Sequence, residues 1–350
     1  MIKQLEEVQT TYECKYDIRE EVKLLKALAA INSPSYAEDL MIAFLDEQLT
    51  KLADEVYKDE FGNLIAVKGT LLENEYYPCV VAHMDNVFNH KEIPKFRIDK
   101  IKGGYTKVYS SIDNKQVGTG FDDKNGIYIA LKLLEKLPKL KVIFTVAEEV
   151  GAIGASKLNP DIFNDVGYCL EGDRKGNSDV ITSIWDFICS TDFLVKITPV
   201  MDKYGYSEND GRLTDVAAIR EFAPISCINY SVGYYKLHSD AEYTIMEDLL
   251  KALDFATECI ETLGYNLYEH EISYNKQSKY NSAYYDYGFD DFNYNGYSTK
   301  ELIDLSSEFE NRRTNKYSGY MCTCGEELEE KEHTFYCPFC NKHFIYDYRY

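Results

Sequence analysis

Between Ile18 and Leu263 the chain alternates short, mainly apolar runs with stretches in which apolar residues recur every three or four positions. The runs Leu64 to Val67, Cys79 to Ala82, Val142 to Val146, Val166 to Leu170, Phe193 to Ile197 and Ile225 to Val232 have strand length. Their mainly apolar character belongs to strands covered on both faces. Helical periodicity fills Ile18 to Ile31, Tyr36 to Leu52, Lys124 to Leu137, Thr214 to Phe222 and Met246 to Leu263, with a break at Asn32 to Ser35 and a turn at Asp59 to Asn63. The alternation predicts an α/β domain: a mixed, mostly parallel sheet flanked by helices.

That pattern stops near Leu263, and Tyr265 to Tyr297 is rich in Tyr, Asn, Asp and Ser, with few aliphatic residues to drive a core. The expected organisation is a catalytic-type domain over 1–264, a Tyr/Asn/Asp-rich linker over 265–317 with a short helix at Thr299 to Phe309, and a small C-terminal module over 318–350. A chain of 350 residues has room for this. Its 38 Lys and Arg face 59 Asp and Glu, a net charge of −21, which excludes nucleic acid as a default partner. No apolar run approaches the ~20 residues of a bilayer span, and Met1 to Glu21 is polar and acidic without a signal-peptide core, so the expectation is a cytoplasmic protein with no membrane partner.

Ten cysteines divide by spacing. Cys14, Cys79, Cys169, Cys189, Cys227 and Cys259 stand singly, mostly in apolar runs, where a thiol acts as a small buried hydrophobe in a reducing compartment. Cys322 and Cys324, followed by Cys337 and Cys340, have the spacing of a tetrathiolate zinc ribbon, the first pair one residue tighter than usual and His343 in reserve as a substitute ligand. Glu326, Glu327, Glu329, Glu330 and Glu332 surround a single Lys331, so the ribbon suits a structural role or a protein partner better than nucleic acid.

The chemistry gathers at the ends of the apolar runs. His83-Met84-Asp85 follows Cys79 to Ala82; Asp122-Asp123 sits in a Gly-bounded turn before a helix; Glu148-Glu149 follows Val142 to Val146; Glu171 and Asp173 follow Val166 to Leu170; His238 lies beyond Ile225 to Val232. Each has a plain alternative: a hydrogen-bonded His and Asp, a helix N-cap, a solvated face. Together, two imidazoles and several carboxylates at successive strand ends suit a pair of divalent metal sites, zinc first among the candidate ions.

These five motifs, in this order, resemble those of the co-catalytic zinc exopeptidases, the clan of peptidase T, carboxypeptidase G and the glutamyl and leucyl aminopeptidases. The resemblance runs from about Ile18 to Leu263, with Ile31 to Ser35 and Asp59 to Ala66 also similar to the family's N-terminal region. It implies that His83 and Asp173 hold one zinc, Glu149 and His238 the other, and that Asp122 bridges both, with a cis peptide at Asp122-Asp123. Asp85 then orients His83, and Glu148 is left free of metal as general base. Peptidase T and carboxypeptidase G carry a lid between the equivalents of Asp173 and His238, but too few residues separate these two positions here. The segment Gly211 to Ile219 looks closer to the lidless aminopeptidases, with Thr214 and Asp215 either facing substrate or capping a helix. The implied activity is di-zinc hydrolysis of amide bonds, foremost an aminopeptidase on small peptides, with Co2+ or Mn2+ as substitutes at the catalytic pair and a third, structural zinc in the ribbon. An amidase, deacylase or carboxypeptidase, and a non-catalytic binding protein on the same fold, are the alternatives; the metal-free acid Glu148 argues against the last.

Overall fold

A computed structural model describes residues 12–270 and the backbone of three strands beyond them, Glu329–Lys331, Thr334–Cys337 and Lys342–Phe344. The chain separates into two compact units, Met1–Asn275 and Lys276–Tyr350. In the second, the three strands pair antiparallel in chain order. The 271–317 linker, the helix at Thr299 to Phe309 and Cys322, Cys324 and Cys340 lie outside the described residues.

The first unit opens with helices α1 (Ile18–Ala29) and α2 (Asp39–Leu52), then strands β1 (Glu55–Lys58), β2 (Leu64–Lys68) and β3 (Tyr77–His83). Strands β4 (Lys95–Lys100), β5 (Thr106–Ile112) and β6 (Lys115–Val117) precede α3 (Phe121–Lys136) and β7 (Leu140–Thr145). After α4 (Ile153–Ser156) come β8 (Val166–Arg174), β9 (Asp179–Ile184), β10 (Asp186–Phe187), α5 (Thr191–Tyr204), β11 (Ser207–Asp210) and α6 (Asp215–Ile219). Strands β12 (Ser226–Ser231), β13 (Tyr234–Tyr235) and β14 (Tyr243–Ile245) lead into α7 (Met246–Leu263).

The main sheet runs β1-β2-β7-β3-β8-β12-β9-β10, with β11 also on β9. Its centre, β7-β3-β8-β12, is parallel, and its flanks are mostly antiparallel. The sheet is therefore evenly mixed rather than mostly parallel. The reason is connection length: the turn Asp59 to Asn63 is too short for a crossover, so β1 and β2 pair antiparallel. The turn is tied by Asp59 Oδ1, which accepts the N–H groups of Phe61, Gly62 and Asn63, each at 2.9 Å. Both faces of the central strands are covered. Val80 and Ala82 of β3 join the core under the larger helices, whereas Cys79 and Val81 join the opposite core with Ala155, Val216 and Ile219. The six single cysteines are free thiols, five of them buried, and Cys79, Cys169 and Cys227 lie side by side in register.

Phe193 to Ile197 is not a strand: it forms the first turns of α5. Ser190 caps this helix, its Oγ accepting from Phe193 N at 3.3 Å, and Phe193, Ile197, Val200 and Met201 form the buried face while Val195 is exposed. A five-residue apolar run carries no periodicity of its own; the cap and the residues after it decide. The sequence pattern also missed a second sheet, β13-β14-β5-β4 with β6 on β5, whose strands lack aliphatic runs. It is built partly from the residues between β3 and α3. Among the described residues, those separating Asp173 from His238 extend and cover the main sheet and begin the hairpin β13-β14. Residues 265–270, assigned to the linker from composition, lie against the sheet: Tyr268 N donates to Gly167 O at 2.9 Å and Tyr268 O accepts from Ser226 N at 2.8 Å. Within the described residues no helix is long and apolar enough to cross a membrane.

Replacing the α5 cap, Ser190→Ala, should lower stability by about 1 kcal/mol, read from the midpoint of urea unfolding with an unchanged slope; an unaltered midpoint would show that the cap is dispensable.

Candidate metal centre

The parallel strands bring their C-terminal ends to one rim. His83, the last residue of β3, pairs in register with Thr145, the last of β7, and Val81 pairs with Glu171 of β8. The chain leaving β7 reaches Glu148 and Glu149 within four residues, and β8 carries Asp173 near its end. Asp122 lies in the first turn of α3, where it and Asp123 keep non-helical backbone angles and share a cis peptide bond. His238 comes from the loop between β13 and β14.

These residues meet. Asp122 lies between the two imidazoles, its Oδ1 3.2 Å from His83 Nε2 and its Oδ2 3.4 Å from His238 Nε2. Glu149 Oε2 is 2.8 Å from His238 Nε2, while Asp173 Oδ1 and Glu148 Oε2 each lie 3.8 Å from His83 Nε2. Among the described residues, two groups have ligand atoms close enough to share an ion: His83 with Asp122 and Glu149, and His83 with Asp123 and Asp173. Asp123 is the less available donor, because its oxygens accept the main-chain N–H groups of His83 at 3.4 Å and Gly126 at 2.9 Å. Gly126 has to be glycine for this approach: a Cβ there would stand 2.3 Å from Asp123 Oδ2 and 2.6 Å from Gly172 O.

The donor set fits a cation. His83 Nδ1 donates to the main-chain oxygen of Asp85 at 3.0 Å, so Nε2 is the nitrogen that faces the acids. Several carboxylates facing one another repel unless a cation lies among them. Among the described residues, the ion pairs of Asp122, Asp173 and Glu148 run to these two imidazoles. Burial accordingly pushes Glu148, Glu149 and Asp173 above the usual carboxylate range. Burial acts the same way on Asp122, but hydrogen bonds from His238 and His83 outweigh it and hold this carboxyl low. Burial would lower His238, yet Asp122 and Glu149 push it up to about 10.

Asp85 orients His83 through its carbonyl. Its carboxylate also meets the imidazole, Oδ1 lying 3.4 Å from His83 Nδ1, and takes main-chain donors besides: Oδ1 accepts from Glu148 N at 2.9 Å, and Oδ2 from Glu149 N at 3.2 Å and from Ser35 Oγ at 2.6 Å. It therefore clamps the main chain of the acid pair. Thr214 stands at the centre, its Oγ1 3.3 Å from Asp173 Oδ2, whereas Asp215 is buried behind it and accepts from the hydroxyl of Thr145. Glu171 accepts the N–H groups of Asp215 and Val216 at 3.1 and 3.4 Å and so holds the start of α6.

Sequence reasoning missed Glu242 altogether. It is fully buried and accepts from the N–H groups of Thr119 and Gly120 at 2.8 Å each and of Asp122 at 3.4 Å. Burial pushes its carboxyl up to about 7 despite those donors. An acid four residues after a histidine, in a loop without periodicity, carries no sequence signal that separates it from a surface acid.

The sequence profile of the M42 glutamyl aminopeptidase family matches residues 103–255. The fold is similar to that of aminopeptidase PepT from Bacillus cereus, with 16% identity, 70% of this chain and 98% of that one covered, and a TM-score of 0.60. It is also similar to a tripeptidase from Staphylococcus aureus, with 15% identity, 69% and 98% covered, and a TM-score of 0.55. A third similar structure is a TET1 peptidase from Pyrococcus horikoshii, described as assembling into a tetrahedron or a large octahedral shell, with 18% identity, 68% and 98% covered, and a TM-score of 0.50.

Glu242→Ala should strand buried N–H groups of Thr119 and Gly120 at roughly 1–3 kcal/mol each, and Glu242→Gln, which keeps one acceptor oxygen, should lose less. Urea unfolding of the metal-free chain checks the order; equal stability of the Ala variant and the parent would contradict the role given to Glu242.

Proposed function

We propose that this chain is a cytoplasmic di-zinc aminopeptidase acting on small peptides. The observation that carries this reading is Asp122, whose two oxygens face two different imidazoles, with Asp173 on one side and Glu149 on the other. The match of the M42 aminopeptidase profile over 103–255 and the likeness of fold to peptidases support the same reading. His83 and Asp173 would hold one ion, Glu149 and His238 the second, and Asp122 both. Bound zinc, or Co2+ or Mn2+ in its stead, would polarise the scissile carbonyl and acidify the attacking water.

The remaining steps fall to side chains. Glu148, which the ligand assignment leaves free, takes the proton of that water and returns it to the departing amine. Burial keeps its carboxyl above the usual range, which suits a group that must both accept and give a proton. Asp85 keeps this acid in place through the main-chain N–H of Glu148. The excess of carboxylates over cations in the centre suits the α-ammonium of a free peptide N-terminus better than a C-terminal carboxylate. The C-terminal cysteines Cys322, Cys324, Cys337 and Cys340 would bind a third, structural zinc, in an acidic module open to a protein partner.

Glu148→Gln should retain metal and fold yet lose several orders of magnitude in kcat, since a proton acceptor disappears and no ligand does; turnover like the parent's would remove Glu148 as the base. Metal analysis of the full chain should find about three zinc per chain, and Asp122→Ala should leave about one, that of the ribbon. N-acetylation of a good substrate should cost a large factor in kcat/KM and C-terminal amidation little. Faster cleavage of the acetylated peptide would favour a deacylase or carboxypeptidase.

A further inference from the structure

The hairpin that carries His238 makes a contact with the opposite side of the centre. Tyr234, in β13, is buried at 2% exposure, and its hydroxyl donates to Asp173 Oδ1 at 3.0 Å. This is the oxygen that lies 3.8 Å from His83 Nε2. The other oxygen, Oδ2, meets Thr214 Oγ1 at 3.3 Å. Asn229 fixes the main chain, its amide donating to Asp173 O at 2.8 Å and its oxygen accepting from Asp173 N at 3.0 Å. Pairing of Tyr234 with Thr244 and of Tyr235 with Tyr243 closes the base of the loop, so one hairpin sends His238 to Asp122 and Glu149 and Tyr234 to Asp173.

We propose that Tyr234 is a positioning residue for the metal centre: its hydroxyl holds Asp173 with one oxygen toward His83, and so sets the affinity of the His83–Asp173 subsite without acting on the Glu149–His238 subsite. The inference rests on the di-metal reading above. A carboxylate oxygen has two lone pairs, and a donor fixed on one of them directs the other. Without that donor only the longer bond from Thr214 Oγ1 to the other oxygen, at 3.3 Å, holds the carboxylate of Asp173, and part of the ordering cost moves to the moment of metal binding. Tyr234→Phe removes the donor and keeps the ring that fills the site.

The test titrates the full-length chain, stripped of metal, with Co2+ chloride, following heat and visible absorption. Cobalt on the C-terminal thiolates gives intense charge-transfer bands, and cobalt on carboxylate and imidazole gives only weak ones, which separates the ribbon from the centre. In the parent two ions should enter the centre. In Tyr234→Phe one should bind as in the parent and the other roughly 10- to 100-fold more weakly, with kcat recovering as Co2+ is raised. The unchanged ion is the internal proof that the variant folds. Two unchanged affinities, or equal weakening of both, would overturn the assignment. A parent chain that binds Co2+ only on thiolates would overturn the di-metal reading itself, and this inference with it.

Discussion

Carboxylates crowded at one rim of a buried sheet are the constraint on which the rest of this structure depends. Asp122, Glu148, Glu149 and Asp173 share that space with His83 and His238. In a low-dielectric setting like charges at such spacing are tolerated only when cations or oriented donors offset them. Asp122, between two imidazoles, keeps its charge, whereas burial drives Glu148 and Asp173 toward the protonated form. The demand for positive charge is therefore located at the acids rather than spread over the surface.

The surrounding acids separate into two kinds by what their oxygens meet. Glu38, Asp85, Asp123 and Glu242 accept main-chain N–H groups near the other acids, and Glu171 accepts those at the start of α6. They hold backbone. Asp122, Glu149 and Asp173 instead turn oxygens toward imidazole nitrogens. The scaffolding acids supply rigidity, since each ties main-chain groups to a carboxylate, and a chain organised in this way holds Asp122, Glu149 and Asp173 in place with little reordering left to do.

The small second sheet gives this division its geometry. By pairing with β5 at Thr244 and Val108, β14 anchors the hairpin whose loop bears His238 and whose last residues bear Glu242. The same hairpin reaches Asp173 through Tyr234. A single element thus touches the acids on both sides of Asp122, and its placement depends on strands drawn from far earlier in the chain.

The parallel centre of the sheet and the helices over it are legible in residue order, because buried strands and amphipathic helices write their burial into it. So are the places of His83, Asp122, Glu148, Glu149 and Asp173 at strand ends and turns, where α/β folds open, since the end of an apolar run is visible in one dimension. The rest depends on contacts between distant segments. Phe193 to Ile197 became helix because a cap and later residues outweighed a short apolar run. At the sheet's edges β1-β2 and β9-β10 turned antiparallel because their connections are short, β2-β7 and β12-β9 pair strands from distant parts of the chain, and the second sheet assembled from strands whose residues alternate too weakly to announce it. Glu242 and Tyr234 took their roles for the same physical reason: a hydrogen bond across more than fifty residues leaves no trace in the spacing of either partner, and it exists only once the backbone has brought the two together.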